Sequence, residues 1–449
     1  MEKNENKMGH APIGKLLFSM SLPAMFSMLV QACYNVVDSI FVAQLGEDAL
    51  TAVSLAFPIQ MLMVAVAVGT AIGINSLISR RLGAKHYSEA NMVASHGVIL
   101  LVLSWVLFAL FGLFGTRAFI AGFTDNAAII EMGTQYGAIV TIFAFGAFVE
   151  TAISRTLQAT GNMTYPMISQ IIGAVVNIIL DPIMIFGLCG CPALGVRGAA
   201  LATVIGQIVA MFFAVYIITH KKFDVHISFK NFKFSSSIVF NIYAVGFPSI
   251  IMQAIGSFLI VCLNTILMGL SGAAVAVLGV YYKLQSFVFM PVFGLTQGAM
   301  PILGYNFGAR DKKRLLDCLK LTAFVALAIM TAGTALFWGC TELLLTLFNA
   351  SSEMLEIGIP ALRTISLCFI PAALGISFST MFQAIGHGIK SLIMSLLRQL
   401  FAILPLAWFF ARFFTLNEVW MAFPIAEIVS LIACAFMFIS AYRKEIAHL

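Results

Sequence analysis

The stretch from residue 91 to residue 115, NMVASHGVILLVLSWVLFALFGLFG, contains no Asp, Glu, Lys or Arg. Wound as a helix at about 1.5 Å per residue it is roughly 37 Å long, more than the ~30 Å hydrocarbon core of a bilayer. Inside that core every peptide group must find its hydrogen-bond partner within the protein, which leaves helices and closed barrels. A barrel strand would be about 10 residues long and would alternate apolar with polar. This run is longer and apolar on all sides, so it reads as a membrane-spanning helix.

Eleven similar runs flank it, near residues 16–44, 49–77, 128–153, 165–188, 198–219, 238–269, 273–303, 318–340, 355–381, 391–411 and 418–440. The composition agrees. Hydrophobic residues make up 61% of the chain and charged residues 10%, with a mean hydropathy of +1.00. A soluble protein carries about 25% charged residues. The expected fold is therefore an all-α membrane protein of about twelve transmembrane helices. The first apolar run is too long for a signal-peptide core and no small-residue cleavage site follows it, so it reads as a retained helix. Of the eight cysteines, Cys189 and Cys191 form the one close pair. One intervening residue is poor disulfide geometry, and no second pair offers metal ligands. The cysteines read as small polarizable filler.

The net charge of +6 matters through its distribution. With the N-terminus in the cytoplasm, 19 of the 25 Lys and Arg fall in inner loops and three, Arg117, Arg197 and Arg412, fall outside. Lys283, Arg363 and Arg398 lie within apolar runs. The excess of inner basic residues predicts that both termini are cytoplasmic. The longest polar stretch, HKKFDVHISFKNFKFSSS from His220 to Ser237, reads as a linker on the inner membrane face. It separates an N-terminal lobe, residues 1–219, from a C-terminal lobe, residues 238–449.

The two lobes read as copies. Leu22-Pro23 is echoed by Phe247-Pro248, an offset of 225 (248 minus 23). Gln60 and Gln285, Gly83-Ala84-Lys85 and Gly308-Ala309-Arg310, and Gln158-Ala159-Thr160-Gly161 and Gln383-Ala384-Ile385-Gly386 share that offset. Six spans per copy is an even number, so the copies should have the same orientation and be related by an axis along the membrane normal, with a substrate cleft between them.

The copies differ in their polar residues. Asp38 corresponds to Leu263, Asp181 to Leu406 and Asn177 to Ala402. Asp38 and Asp181 fall at similar depth, each about two turns before an outer loop. An ionised Asp in a helix centre costs at least ~2.5 kcal/mol on insertion scales, which is tolerated where it faces a cavity or binds a cation. Asn177 and Asp181 are four residues apart and share a helix face, as do Gln31, Tyr34 and Asp38 at spacings of three and four. Pro182 donates no backbone hydrogen bond and so frees the carbonyl of Ile178. These are hard oxygen ligands for a small cation. The same two acids, placed close together, would resist joint ionisation, which suits a proton. The bland alternative is that each Asp bonds a neighbouring helix and holds the bundle together. Two acids at matched depth, absent from the second copy, favour the functional reading.

Other polar residues read more plainly. Lys283, in VYYKLQSFVFM, is a candidate substrate contact, with a structural or gating contact favoured. Glu150 sits close to Arg155 as a simple ion pair. Glu427 lies in the last run, and Arg363 and Arg398 read as anchors of helix ends. Gly69-x-x-x-Gly73 reads as a helix-packing seam. Met28 and Met63 are suited to an adaptable apolar cavity. No Walker A, H-E-x-x-H or G-x-S-x-G pattern occurs, so neither ATP-driven pumping nor enzyme chemistry is expected.

At this point the sequence resembles the multidrug and toxic compound extrusion (MATE) family of secondary transporters. The resemblance runs over roughly residues 12 to 440. It rests on SLPAMFSMLVQACYNVVDSIFVAQLG, SRRLGAKHYSEA, QATGNMTYPM, NIILDPIMIFG and GVRGAALAT in the first half, and on PILGYNFGARD and QAIGHG in the second. Among bacterial branches it is similar to the DinF-like and MepA-like exporters. The resemblance implies two pseudo-symmetric six-helix lobes forming a V-shaped central cavity. It implies antiport, with sodium or protons entering while organic cations leave. It implies a cation site in the N-terminal lobe formed by Asp38, Asn177, Asp181 and Thr203, with the carbonyl of Ala199. Na+ would be held by Asp38, Asn177, Asp181 and Thr203 if the coupling ion is sodium. Substrate contacts are expected from Met28, Gln31, Tyr34, Met63, Gln253 and Lys283. No cofactor beyond the coupling Na+ or H+ is expected. The expected partners are small-molecule organic cations and membrane lipids, with no nucleic acid. The expected protein is a monomer in the inner (plasma) membrane. The alternative is a lipid-linked oligosaccharide flippase of the wider superfamily, which would favour a basic cavity and often extra helices.

Overall fold

A computed structural model of the chain describes residues 6–230, 232–348 and 350–449. The described elements are helical. In the first half they are α1 (Ile13–Ala43), α2 (Glu47–Gly83), α3 (Tyr87–Phe114), α4 (Ala127–Ile142), α5 (Phe145–Ala159), α6 (Thr164–Phe186) and α7 (Val196–His220). The second half holds α8 (Ser236–Met268), α9 (Gly272–Gly308), α10 (Lys312–Gly339), α11 (Ser352–Ser366), α12 (Phe369–Ala384), α13 (Gly388–Phe413) and α14 (Ala422–Lys444). Among the described residues ten helices are long and apolar enough to cross a membrane, or up to twelve when α4 with α5 and α11 with α12 are each counted as one bent span. The sequence predicts about twelve spans near these positions. It does not predict the bends: α4 and α5 meet at 40°, α11 and α12 at 44°. No proline sits at the first break; at the second, Pro371 falls in the first turn of α12, where its missing N–H leaves the Leu367 carbonyl without an intrahelical donor.

The duplication reappears in the element boundaries. Both ends of α2 and of α9 differ by 225, as do both ends of α3 and α10. A short helix Thr116–Ala121 after α3 has its counterpart in Thr341–Thr346 after α10. The turns repeat as well. Lys85 and Arg310 adopt positive φ, 61° and 57°, and Gly161 and Gly386 do so at 89° and 97°. At Lys85 the turn is closed by the His86 N–H donating to the Arg81 carbonyl at 2.9 Å, an arrangement that ends many helices and usually places Gly at the left-handed position.

The chain groups into two compact units. One contains residue 6 and Phe26–Ile250, the other Lys7–Met25 and Ile251–Leu449. The sequence reading sets the boundary at residues 220–237. The structure instead groups the first half of α1 with the later helices and the first half of α8 with the earlier ones. Glycines supply the physical reason. In the first unit a Cβ at Gly69 would lie 2.7 Å from the Ile250 nitrogen, and one at Gly73 would lie 2.1 Å from the Ile242 carbonyl oxygen. In the second unit a Cβ at Gly294 would lie 2.6 Å from the Met25 Cα, and one at Gly298 would lie 2.7 Å from the Ser21 nitrogen. Gly294 and Gly298 are the repeat counterparts of Gly69 and Gly73, at the same offset of 225. The small-residue seam thus acts in packing, as its spacing suggests, and it does so twice. Ser21 also donates a hydrogen bond from Oγ to the Leu295 carbonyl at 3.1 Å.

All eight cysteines are free. Arg363 sits in the last turn of α11, with Nε donating to Thr341 Oγ1 at 3.2 Å, as expected of a helix-end anchor. Arg398 is different. It lies inside α13, in a π-helical segment Leu397–Ile403, and its Nη1 is 3.2 Å from Glu427 Oε1 on α14. The helix-end reading of Arg398 is therefore corrected: the guanidinium meets a buried carboxylate on a neighbouring helix. Glu150 Oε1 accepts a hydrogen bond from Ser154 Oγ at 2.5 Å.

Candidate functional site

The polar centre lies in the first unit, on α1, α6 and α7. Two close helix contacts bring it together. A Cβ on Gly206 of α7 would lie 2.6 Å from the Gly173 carbonyl of α6, and one on Gly198 would lie 2.3 Å from the Met184 carbonyl. Only glycine permits that approach, and it sets α7 close enough for side chains to bond across. Asn177 Nδ2 donates to Asp181 Oδ1 at 3.4 Å, one turn along α6, and to Thr203 Oγ1 on α7 at 3.3 Å. Thr203 also shares a hydrogen bond with the Tyr34 hydroxyl of α1. Asp38, one turn after Tyr34, is near enough to act electrostatically on Asp181. Asp38, Asn177, Asp181 and Thr203 are thus one cluster, with Tyr34 joined to it.

Burial is deep. Asp181 is 0% exposed, Asn177 2% and Thr203 6%. Ala199, one turn before Thr203, is fully buried in an apolar jacket with Val42, Ala56, Val140 and Ile185. One atom stands out. Asp38 Oδ1 is buried and has no hydrogen-bond partner among the described residues. A buried carboxylate oxygen left unbonded is expensive and calls for a proton or a cation. The Asn177 bonds lie at the long end of hydrogen-bond geometry, so the oxygens are not drawn tightly onto one another. The donor set of carboxylate, amide and hydroxyl oxygens fits a small hard cation, and an acid with an orphaned oxygen fits a proton equally.

Tyr136 on α4 belongs to the same cluster, and sequence reasoning misses it. It is 3% exposed, lies within electrostatic reach of Asp38 and Asp181, and receives a hydrogen bond to its hydroxyl from Gln60 Nε2 at 3.2 Å. In the sequence Gln60 stands out only as a repeat marker. A tyrosine within an apolar run gives no sequence signal of its own, whereas an aspartate does.

The substrate candidates divide between the units. In the first, Tyr34 joins the polar cluster, Met63 is buried, Met28 is half-buried and Gln31 is exposed. In the second, Gln253 is exposed, and Lys283 is exposed with its Nζ 5.9 Å from the centre of the Phe348 ring. A cation over an aromatic face is a favourable contact.

A duplicated set of membrane-spanning helices, with a buried acidic oxygen cluster in one copy and no equivalent among the described residues of the other, defines a membrane transporter. The chain belongs to the MatE family, whose model matches residues 23–183 and again residues 248–409. The two matches start at residues 23 and 248, which reproduces the offset of the repeat. The multidrug export protein MepA of Staphylococcus saprophyticus is 27% identical over 429 residues, covering 93% of this chain and 92% of its own. The FAD transporter of Shewanella oneidensis is 24% identical over 442 residues, covering 97% and 96%. Among solved structures, the outward-facing conformation of a multidrug resistance MATE family transporter of the MOP superfamily matches with a TM-score of 0.92 at 28% identity, over 99% of this chain and 100% of that one. A MOP superfamily transporter from Pyrococcus furiosus, for which reverse polarity of the binding pocket is said to suggest a different function, matches with a TM-score of 0.91 at 29% identity, over 99% and 100%. The protein is a multi-pass membrane transporter of the MATE family, of the MepA-like type.

Proposed function

We propose that the protein is a secondary active multidrug exporter that antiports cationic amphiphilic compounds against Na+ or H+ by alternating access. The single observation behind this reading is the buried Asp38 Oδ1, without a hydrogen-bond partner among the described residues and within electrostatic reach of Asp181, which Asn177 links to Thr203. Antiport requires a site whose charge or occupancy changes between the two faces of the membrane, and a ligand that binds the two conformations unequally. A pair of interacting carboxylates meets that need. Asp38, Asn177, Asp181 and Thr203, with the Ala199 carbonyl, are the coupling residues. They would hold the entering ion, and its release would reset their charge. Met28, Gln31, Tyr34 and Met63 in the first unit, and Gln253 in the second, are assigned to substrate contact, with Lys283 a further candidate for which a structural or gating contact is favoured. The activity is transport, without bond-making chemistry. The chain works as a monomer in the plasma membrane with both termini in the cytoplasm, following its 19 inner basic residues.

Reconstituted proteoliposomes with an imposed Na+ or H+ gradient test the reading. Ethidium accumulation should follow one of the two gradients and stop when that gradient is collapsed. FAD, offered in parallel, probes the alternative that the substrate class is anionic, as the name of the Shewanella relative raises. Ethidium movement that ignores both gradients would refute coupled export.

A further inference from the structure

Between the end of α7 at His220 and the start of α8 at Ser236, the described residues have no regular secondary structure, yet they are held firmly on the first unit. The His226 N–H donates to Asn91 Oδ1 of α3 at 2.7 Å. Ser95 and Ser228 bond reciprocally, the Ser228 N–H donating to Ser95 Oγ at 3.1 Å and Ser95 Oγ donating to the Ser228 carbonyl at 3.0 Å. The Ser235 N–H meets His96 Nε2 at 2.9 Å, while His96 Nδ1 is 2.7 Å from the Met92 carbonyl. These two contacts settle the ring: Nδ1 donates and Nε2 accepts. The same ring packs against Phe232 at 4.6 Å and Phe234 at 5.9 Å, centre to centre. Asp224, the one acid of the segment, accepts from Asn6 Nδ2 at 2.6 Å.

What this anchoring leaves outward is specific. Lys221, Lys222, Lys230 and Lys233 are exposed and make no ion pair with a described residue. Phe229 and Phe234 are 54% and 69% exposed, although each is a large apolar group on a short polar connection. The depth of the segment is set by its ends, since both continue directly into membrane spans. At that depth aromatic rings enter the boundary between headgroups and acyl chains, and lysine ammonium groups reach lipid phosphates.

We propose that the linker residues 221–230 and 232–235 form a fixed docking surface for anionic phospholipids, with the four lysines binding headgroup phosphates and Phe229 and Phe234 seated among the acyl chains. The cytoplasmic placement of the linker, proposed above, decides only which leaflet supplies the lipid. Charge complementarity selects the occupant. Four unpaired cations beside exposed aromatic rings match an anionic interface, whereas a soluble acidic partner would leave the rings without a place. Pinning by Asn91, Ser95 and His96 means that little backbone freedom is lost on binding.

The test uses the purified full-length protein in detergent, titrated with phosphatidylglycerol or phosphatidylcholine, with bound lipid counted by native mass spectrometry. The wild-type chain should retain phosphatidylglycerol in preference. Each lysine near such a surface contributes roughly fivefold in affinity, so changing Lys221, Lys222, Lys230 and Lys233 together to Gln should lower the phosphatidylglycerol affinity at least about tenfold, while changing the four to Arg should keep it. Phe229→Ser with Phe234→Ser should weaken retention of both lipids. Thermal stability in phosphatidylcholine, unchanged in all variants, shows that they fold. An undiminished phosphatidylglycerol preference in the Gln variant overturns the proposal. So does an equal loss on replacing the exposed Lys313 and Lys320 with the linker intact. None of these readouts involves export, so failure of the coupling mechanism would leave them unaffected.

Discussion

Arg398 Nη1 lies 3.2 Å from Glu427 Oε1, bridging α13 and α14, the helix pair that corresponds in the repeat to the α6 and α7 that carry Asn177, Asp181 and Thr203. The same pair of helices thus holds two opposite electrostatic designs. In the second copy the acid meets a guanidinium. In the first, Asp181 meets the amide of Asn177, which also bonds the Thr203 hydroxyl, and beside this pair an oxygen of Asp38 on α1 has no hydrogen-bond partner among the described residues. Under the proposed mechanism only the first arrangement changes its charge.

Separating the second pair should therefore cost stability. Glu427 is buried and the Arg398 side chain is 29% exposed. Removing one partner strands the other, at a cost of about 3 kcal/mol. Arg398→Met should lower the melting temperature in detergent clearly, and Arg398→Met with Glu427→Leu should recover most of the loss. Equal melting temperatures for single and double variants would show that the pair contributes nothing.

The first cluster should behave in the reverse way. Asp181→Asn should leave the protein folded and in the membrane while gradient-driven export falls by roughly tenfold or more, because removing an interaction of about 1.4 kcal/mol is already tenfold. Asp38→Asn should do likewise or shift the pH dependence of export. Leu263→Asp should not rescue either variant, since the second copy has Ala402 where the first has Asn177. An Asp181→Asn protein that still pumps at the wild-type rate would place the ion site elsewhere.

Glycine seams predict a graded series. Gly73→Ala would set a methyl 2.1 Å from the Ile242 carbonyl oxygen, and Gly298→Ala would set one 2.7 Å from the Ser21 nitrogen. Overpacking of this kind costs about 1–3 kcal/mol. Gly279→Ala, with nothing within 4 Å, should be neutral or slightly stabilising. Melting curves followed by size-exclusion fluorescence give the order directly. A Gly73→Ala protein as stable as Gly279→Ala would contradict the close approach.

Orientation can be read by labelling. In a cysteine-free background, Lys85→Cys and Lys312→Cys should react with a membrane-impermeant maleimide only from the cytoplasmic side. Reaction of either in intact cells would reverse the topology.

Much of the fold and of the polar cluster is legible in the sequence, for identifiable reasons. Span positions follow from the length of uncharged runs, and the duplication from a constant offset that survives in Lys85 and Arg310 even at the level of backbone angle. Asp38 and Asp181 declare themselves because a carboxylate in an apolar run is costly. Tyr136 does not, since a tyrosine there costs little until its neighbours are known. Arg398 reads as a helix-end anchor in the sequence because its partner, Glu427, is 29 residues away and on another helix. The break at residues 143–144 is invisible there because no proline or polar cluster marks it, whereas Pro371 stands just after the break at 367–368 as a local sign the span reading passes over. For Tyr136 and Arg398 the deciding information is tertiary.

The glycine seams also bear on biogenesis. The face of α2 that carries Gly69 and Gly73 is completed by Ile242 and Ile250, which the ribosome adds only after the whole of α3 to α7 has been made. The first unit is therefore unfinished when its own helices up to α7 have been inserted, and a fragment ending before residue 242 leaves that seam open to lipid. Ser21 and Met25 wait longer still, for Gly298 and Gly294. Assembly in the bilayer must hold inserted but unmated helices for most of the synthesis of the chain, which makes the late-arriving α8 and α9 the steps on which maturation depends.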